Sequence, residues 1–260
     1  MKILCVGDVV GEPGRKAVAG ILPLLKAEFD VDLTIVNAEN SAGGSGVTPR
    51  TATELLHNGC DVLTLGDHVW DKVEIKDFLN DCKRIVRPAN FPIGAPGQGS
   101  CIVETKKGVK VGVINLLGRV FMRYNVDCPF RKLKQLIDDF PPDVKVIVLD
   151  MHAETTSEKR AMGFFIDGRI SAVVGTHTHI TTADEQILPN GTAYITDLGM
   201  TGPHDSVIGQ NKEKIIERFL TSMPTRFETA TEDARLNGVV IDVDETTGKA
   251  RGISRVQRKL

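Results

Sequence analysis

Six histidines occur in the chain, and four of them stand at the ends of short apolar runs. His68 follows Gly66-Asp67, His152 lies just past Val144–Leu149, and His177 and His179 follow Ile170–Val174 in the segment Gly175-Thr176-His177-Thr178-His179. In an extended segment, residues i and i+2 point the same way, so such a pair can offer two imidazoles to neighbouring metal ions. Three acids occupy equivalent positions. Asp8 ends the first apolar run, Glu39 with Asn40 the second, and Asp67 the third. Asp8 also fits a turn or helix-capping aspartate, and Glu39 a surface residue before the loop 41–46. That loop holds three glycines, which let backbone approach a ligand closely, but it carries no Walker motif. A set of carboxylates and imidazoles without thiolate suits Mn, Fe, Zn or Ni. Two such ions ~4 Å apart clamp a phosphate for in-line attack, so the chemistry indicated is phosphate ester hydrolysis. Asp67 is then a candidate ligand and His68 a candidate general acid. Asp71 and Glu74 have the spacing of a capping box. Trp70, the one tryptophan, fits either core packing or the substrate pocket.

Composition narrows the partners. Lys+Arg total 32 against 34 Asp+Glu, a net charge of −2, which gives no bulk attraction to nucleic acid or anionic membrane. A small phosphate-bearing substrate is still compatible, because a metal site supplies positive charge that residue counting misses; no stable nucleic-acid complex and no membrane are expected, and a homo-oligomer stays open. The five cysteines are odd in number and contain no CxxC pair, which argues against a disulfide framework or a structural zinc site. The apolar run at the N-terminus is too short for a signal peptide or a span, which places the protein in the cytoplasm.

The elements that must position these residues alternate. Apolar runs at Ile3–Val6, Leu33–Val36, Val62–Leu65, Val109–Asn115, Val144–Leu149 and Ile170–Val174 read as buried strands. Helical periodicity runs through Arg15 to Phe29, with Ala17, Ile21, Leu24, Leu25 and Phe29 on one stripe and Pro23 as a point of kinking or division. Thr51–His57, Val73–Leu79 and Arg131–Asp139 are further helical segments. Gly191–Ile195, Gly238–Val243 and Gly252–Val256 read as late antiparallel strands with few helical signals nearby. With no repeat and no long linker, the expectation is one α/β domain over 1–260, with its ligands at the C-terminal strand edges.

Placed in order, these segments resemble the calcineurin-like metallophosphoesterases, whose pattern is GD, a bridging acid, GNH, a lone His and GHxH. Here they read Gly7-Asp8, Glu39-Asn40, Gly66-Asp67-His68, His152 and Gly175 to His179. More narrowly the chain resembles the YmdB-type branch, through GDVVGxPGR at Gly7–Arg15, NAEN at Asn37–Asn40, VRPANFP at Val86–Pro92, HAExTSEK at His152–Lys159, AVVGTHTH at Ala172–His179 and TAYITDLGMTGP at Thr192–Pro203. The resemblance implies a four-layer α/β/β/α sandwich with mixed sheets, two divalent or trivalent metal ions (Fe or Mn first, Zn or Ni next), and phosphodiesterase action on 2′,3′-cyclic nucleotides. Carried over by position, Glu39 bridges both metals. Asp8 and His179, with Asn40, hold the first; Asp67, His152 and His177 hold the second; and His68 protonates the departing sugar oxygen. A phosphomonoesterase, or a low-turnover nucleotide-binding regulator on the same scaffold, is the alternative. Arg119 and Thr178, and beyond them Asn115, Asp197 and Thr201, are candidates for substrate contact; His57 and His204 are assigned to structure or surface.

Two departures matter. Val10 stands where the wider superfamily has a third-position His, a feature of the YmdB-type branch. Asp67 replaces the Asn of GNH, and a carboxylate has no N–H to donate to phosphate. Two divalent ions against three carboxylates leave a charge of about +1, where Asn would leave about +2, which implies weaker attraction for an anionic diester or a preference for trivalent iron.

Overall fold

The computed structural model describes residues 1–260. In chain order the first half comprises β1 (Lys2–Val6), β2 (Asp8–Val9), α1 (Gly11–Phe29), β3 (Leu33–Asn37), α2 (Pro49–His57), β4 (Val62–Thr64), α3 (Ile75–Asp81), β5 (Ile85–Val86), β6 (Ser100–Glu104), β7 (Lys110–Leu117) and α4 (Pro129–Asp139). The second half comprises β8 (Val146–His152), α5 (Thr156–Ile166), β9 (Ala172–Thr176), β10 (Gln186–Ile187), β11 (Ala193–Ile195), β12 (Met200–Pro203), α6 (Lys212–Thr221), β13 (Ala234–Val243) and β14 (Ala250–Lys259). The strands build two mixed sheets. One runs β2-β12-β13-β1-β3-β4-β5 with β14 beside β13; the other runs β10-β11-β9-β8-β7-β6. Within them β1, β3, β4 and β5 are parallel, as are β7, β8, β9 and β11.

Side-chain alternation along each strand explains why the runs are continuously apolar. On β1, Ile3 and Cys5 join Val111, Val146 and Val174 in a core shared by both sheets. Leu4 and Val6 point the other way, into a core with Val18 and Leu22 of α1 and Leu55 of α2. The second sheet buries Ile114, Leu149 and Val173 against Leu133 of α4 and Met162 of α5.

Four expectations are corrected. Pro23 does not divide α1, which is one helix over Gly11–Phe29. Pro23 and the residue four before it, Ala19, both lie on the exposed side, where water can take the carbonyl left without its N–H. Leu24 is exposed rather than on the buried stripe, where Val18 and Leu22 take its place. β11 is antiparallel only to β10; on its other edge it pairs with β9 in parallel, because residues 177–192 carry the chain back across the sheet end without a helix. Helix α6 lies among the late strands, where the sequence carries few helical signals.

A buried ion pair ties α5 to the second sheet's loops. Lys159 Nζ lies 2.7 Å from Asp197 Oδ2, and neither side chain is exposed. Removing one partner of such a pair leaves a charge stranded in the interior. Lys159→Met is therefore expected to lower unfolding free energy by roughly 3–5 kcal/mol in urea denaturation; a loss under ~1 kcal/mol would refute the assignment.

Candidate metal centre

The parallel strands of both sheets end on one side, and a buried carboxylate joins them there. Asp150 of β8 accepts from Asn37 Nδ2 of β3 at 3.0 Å, Thr64 Oγ1 of β4 at 2.5 Å and Thr176 Oγ1 of β9 at 2.6 Å. Burial raises the Asp150 carboxyl to about 6, while His152, Thr176 and Thr64 act in the opposite direction. Just beyond this knot lie the residues singled out by type and spacing.

Glu39, Asp67, His152 and His177 each bring one donor atom within 4.8 Å of the others. His152 Nε2 is 3.1 Å from Glu39 Oε1, 3.2 Å from Asp67 Oδ1 and 3.0 Å from His177 Nδ1. The opposite nitrogens are held from outside. His152 Nδ1 donates to Thr176 Oγ1 at 2.9 Å, and that hydroxyl donates onward to Asp150. His177 Nε2 is 3.1 Å from Glu154 Oε2. Partners on the far ring nitrogen fix an imidazole's tautomer and aim, the arrangement typical of metal-ligating histidines.

The backbone that presents the histidine pair is not extended, contrary to expectation. His177 and His179 have φ of 100° and 67°, in the region that side chains disfavour. The turn is secured by His177 N–H donating to Asp8 Oδ2 (3.2 Å), Thr178 N–H to Asp197 Oδ2 (3.1 Å) and His179 Nδ1–H to the Ile208 carbonyl (2.9 Å). As a result the two imidazoles part. His177 joins the four-residue cluster, whereas His179 Nε2 sits 3.1 Å from Asn40 Nδ2 and 3.9 Å from Asp8 Oδ1.

Electrostatics shows groups arranged for a cation. Burial opposes every charge here, yet Glu39 is held below its usual range by His152, and Asp67 far below by hydrogen bonds to His152 and His177. His152 is raised well above its usual value because Glu39, Asp67 and Asp8 outweigh its burial. Asp8 is raised, chiefly by burial. Asp8 Oδ1 and Asn40 Oδ1 are buried without any hydrogen-bond partner, and buried acceptors are rarely left so. Two buried oxygens without partners, set beside the imidazole of His179 and next to the cluster, fit a metal ion. Gly66 completes the fit: a Cβ there would collide with Glu39 Oε2 and His152 Nε2.

His68 stands at the mouth, half-buried. Its Nδ1 is 2.8 Å from Asp71 Oδ2, and Asp71 is held in turn by Ser45 Oγ at 2.5 Å and Arg123 at 2.8 Å. Burial lowers the imidazole's affinity for a proton, but Glu39, Asp67 and Asp71 together raise it. Asp71 thus orients His68 instead of capping α3, whose first turn has no side-chain cap. The tertiary partners outweigh the local motif, and nothing in the sequence spacing signals this role.

A cavity of about 670 Å³ opens over the centre, lined at its floor by Glu39, Asn40, His68, His177, Thr178 and His179. The glycine loop contributes Gly43, Gly44 and Ser45, and α6 contributes Ile215, Arg218 and Phe219. Arg119 is exposed outside this lining, its backbone N–H bound to Glu158. Asn115, Asp197 and Thr201 are fully buried supports rather than substrate contacts. Trp70 packs edge-on against Phe91, 5.5 Å between centroids, so it serves the core. His204 bonds Asn237 and the Gly202 carbonyl, a structural role, and His57 closes the last turn of α2.

The family model described as YmdB-like protein matches residues 4–256. A Bacillus subtilis (strain 168) protein named 2′,3′-cyclic-nucleotide 2′-phosphodiesterase is 50% identical over 256 residues, covering 98% of this chain and 96% of that one. A crystal structure of a Mycoplasma pneumoniae phosphatase superposes with a TM-score of 0.93 at 38% identity, over 100% of this chain and 93% of the other. A Thermus thermophilus protein of known structure gives a TM-score of 0.93 at 39% identity, over 100% and 99%.

The crowding at Gly66 makes a measurable statement. Gly66→Ala is expected to weaken metal binding roughly 10- to 100-fold in a metal titration, the cost of displacing ligands from their aim. Unchanged metal affinity would show that the Glu39–His152 approach is not what holds the ion.

Proposed function

The chain belongs to the YmdB-like family, and we propose that it is a metal-dependent phosphodiesterase that opens 2′,3′-cyclic nucleotides. The observation that supports this reading is the cluster of Glu39, Asp67, His152 and His177, with His179, Asn40 and Asp8 beside it, the last two carrying buried oxygens that have no partner. On this reading Glu39 would be shared by two ions, Asp8, Asn40 and His179 would hold one, and Asp67, His152 and His177 would hold the other. Such ions supply Lewis-acid polarisation of phosphate and a nucleophile from water at neutral pH.

The chain's own side chains do the rest. Asp71 holds His68 by Nδ1, which leaves Nε2 to face the leaving group. A water oxygen bonds to phosphorus and gives up a proton to solvent, the P–O2′ bond breaks, and His68 delivers its proton to O2′ and is reprotonated from solvent, leaving the 3′-nucleotide. Thr178 lines the floor beside the phosphate position. Arg119 is a weaker candidate for phosphate, since it stands outside that lining.

The same reading takes the metals as Fe or Mn, as the family resemblance implies, with Zn or Ni as lesser candidates; a thiolate-free set of carboxylates and imidazoles suits all four. It takes the fold as a four-layer α/β/β/α sandwich in one domain, supported by the three apolar cores. Five free cysteines favour a cytoplasmic setting, and no helix is long and apolar enough to cross a membrane.

Protein purified without chelator is expected to carry metal and to turn over 2′,3′-cyclic AMP. Less than one ion per chain on average, with no turnover after Mn or Fe addition, overturns the proposal. His68→Ala should slow cyclic AMP opening about 10²- to 10⁴-fold, and bis-p-nitrophenyl phosphate far less, because p-nitrophenolate departs without a proton.

Asp67→Asn removes one negative charge from the centre. The expected result is a KM for the anionic cyclic diester roughly tenfold lower and a shifted pH–rate profile. If neither moves, the charge of Asp67 does not set substrate attraction.

A further inference from the structure

The cavity has two chemically distinct ends. Its floor is the carboxylate–imidazole centre; its wall is Ile208, Ile215, Phe219 and Phe227, with Arg218 and Gln210 among them. On α6, Ile215, Arg218 and Phe219 recur at the spacing that shares one helix face, and it is this face that turns to the cavity. Ile216 and Leu220, one position on, lie outside the lining. Phe219 is 80% exposed and Phe227 54% exposed, an unusual cost for aromatic rings beside a polar site. Arg218 lies over the Phe227 ring, 4.8 Å from its centroid, so a planar cation already stacks on this wall. The Gln210 carboxamide, absent from the protein's own hydrogen bonds, adds a donor and an acceptor at the same place.

Given the phosphodiesterase reading, on which this rests, we propose that Phe219 and Phe227 form a nucleobase subsite. The base stacks on these rings while the cyclic phosphate sits at the floor, so the wall sets specificity for nucleotides over other cyclic diesters. Stacking suits every base, because each has a π-face; edge discrimination falls to Gln210. A phosphate site alone needs no exposed aromatic wall, and a core-packing role would have buried these rings.

The test compares 2′,3′-cyclic AMP with a base-free diester, glycerol 1,2-cyclic phosphate. Phe219→Ala and Phe227→Ala should each raise KM for cyclic AMP roughly tenfold, the scale of one lost stack, with kcat within about twofold. Hydrolysis of the base-free diester should not change. Binding of 3′-AMP, followed by calorimetry, should weaken in step, and Phe219→Trp should restore both KM and binding. A parallel loss on both substrates, or no loss on either, overturns the subsite. So does a wild-type enzyme that handles both diesters equally well, although the phosphodiesterase reading then stands. If the wild type opens neither diester with metal bound, that reading itself fails and the subsite with it.

Discussion

Everything at the site depends on one carboxylate that is out of reach of water. Asp150 gathers Asn37, Thr64 and Thr176 from three strands in two sheets. In a low-dielectric interior each unmade hydrogen bond is expensive, so this set tolerates little slippage between sheets. The constraint reaches the candidate metal centre directly, since Thr176 also receives the Nδ1–H of His152. The register of two sheets is thereby converted into the aim of one imidazole. The Lys159–Asp197 pair acts similarly for the histidine loop, because Asp197 also accepts from the Thr178 and Gly199 backbones.

Such an arrangement is costly. The centre buries Asp8, Glu39, Asp67 and His152 side by side, and each would be better solvated outside. Sites of this kind conflict with local stability and rely on the surrounding scaffold to hold them. Here the scaffold is the continuous apolar packing of β1, β3, β8 and β9, which fixes the strand ends.

Much of this is legible in the sequence, and the reasons are physical. Strands buried on both faces must be apolar, so their ends stand out, and Asp8, Glu39, Asp67, His152 and His177 are found there. What escapes depends on contacts that no local pattern encodes. Asp71 has the spacing of a cap but binds a histidine and an arginine instead. Asn115, Asp197 and Thr201 look like polar residues near a site, yet they are spent on backbone and buried partners. Helix α6 escapes because only Ile215 of its residues is buried; a helix facing a cavity lacks the broad apolar stripe that core packing imposes. The direction of β11 depends on a crossover that leaves no mark in its own residues.

The left-handed backbone at His177 and His179 has one more consequence. A short peptide with two histidines one residue apart would close both imidazoles on a single ion as a local chelate. Two residues held at positive φ cost on the order of 1–3 kcal/mol each, and the hydrogen bonds to Asp8, Asp197 and Ile208 maintain them. That free energy acts against the chelate. It turns neighbouring imidazoles to different companions, His177 to His152 and Asp67 and His179 to Asn40, so a segment that would sequester one ion in isolation becomes, inside the fold, a divider between two groups of side chains.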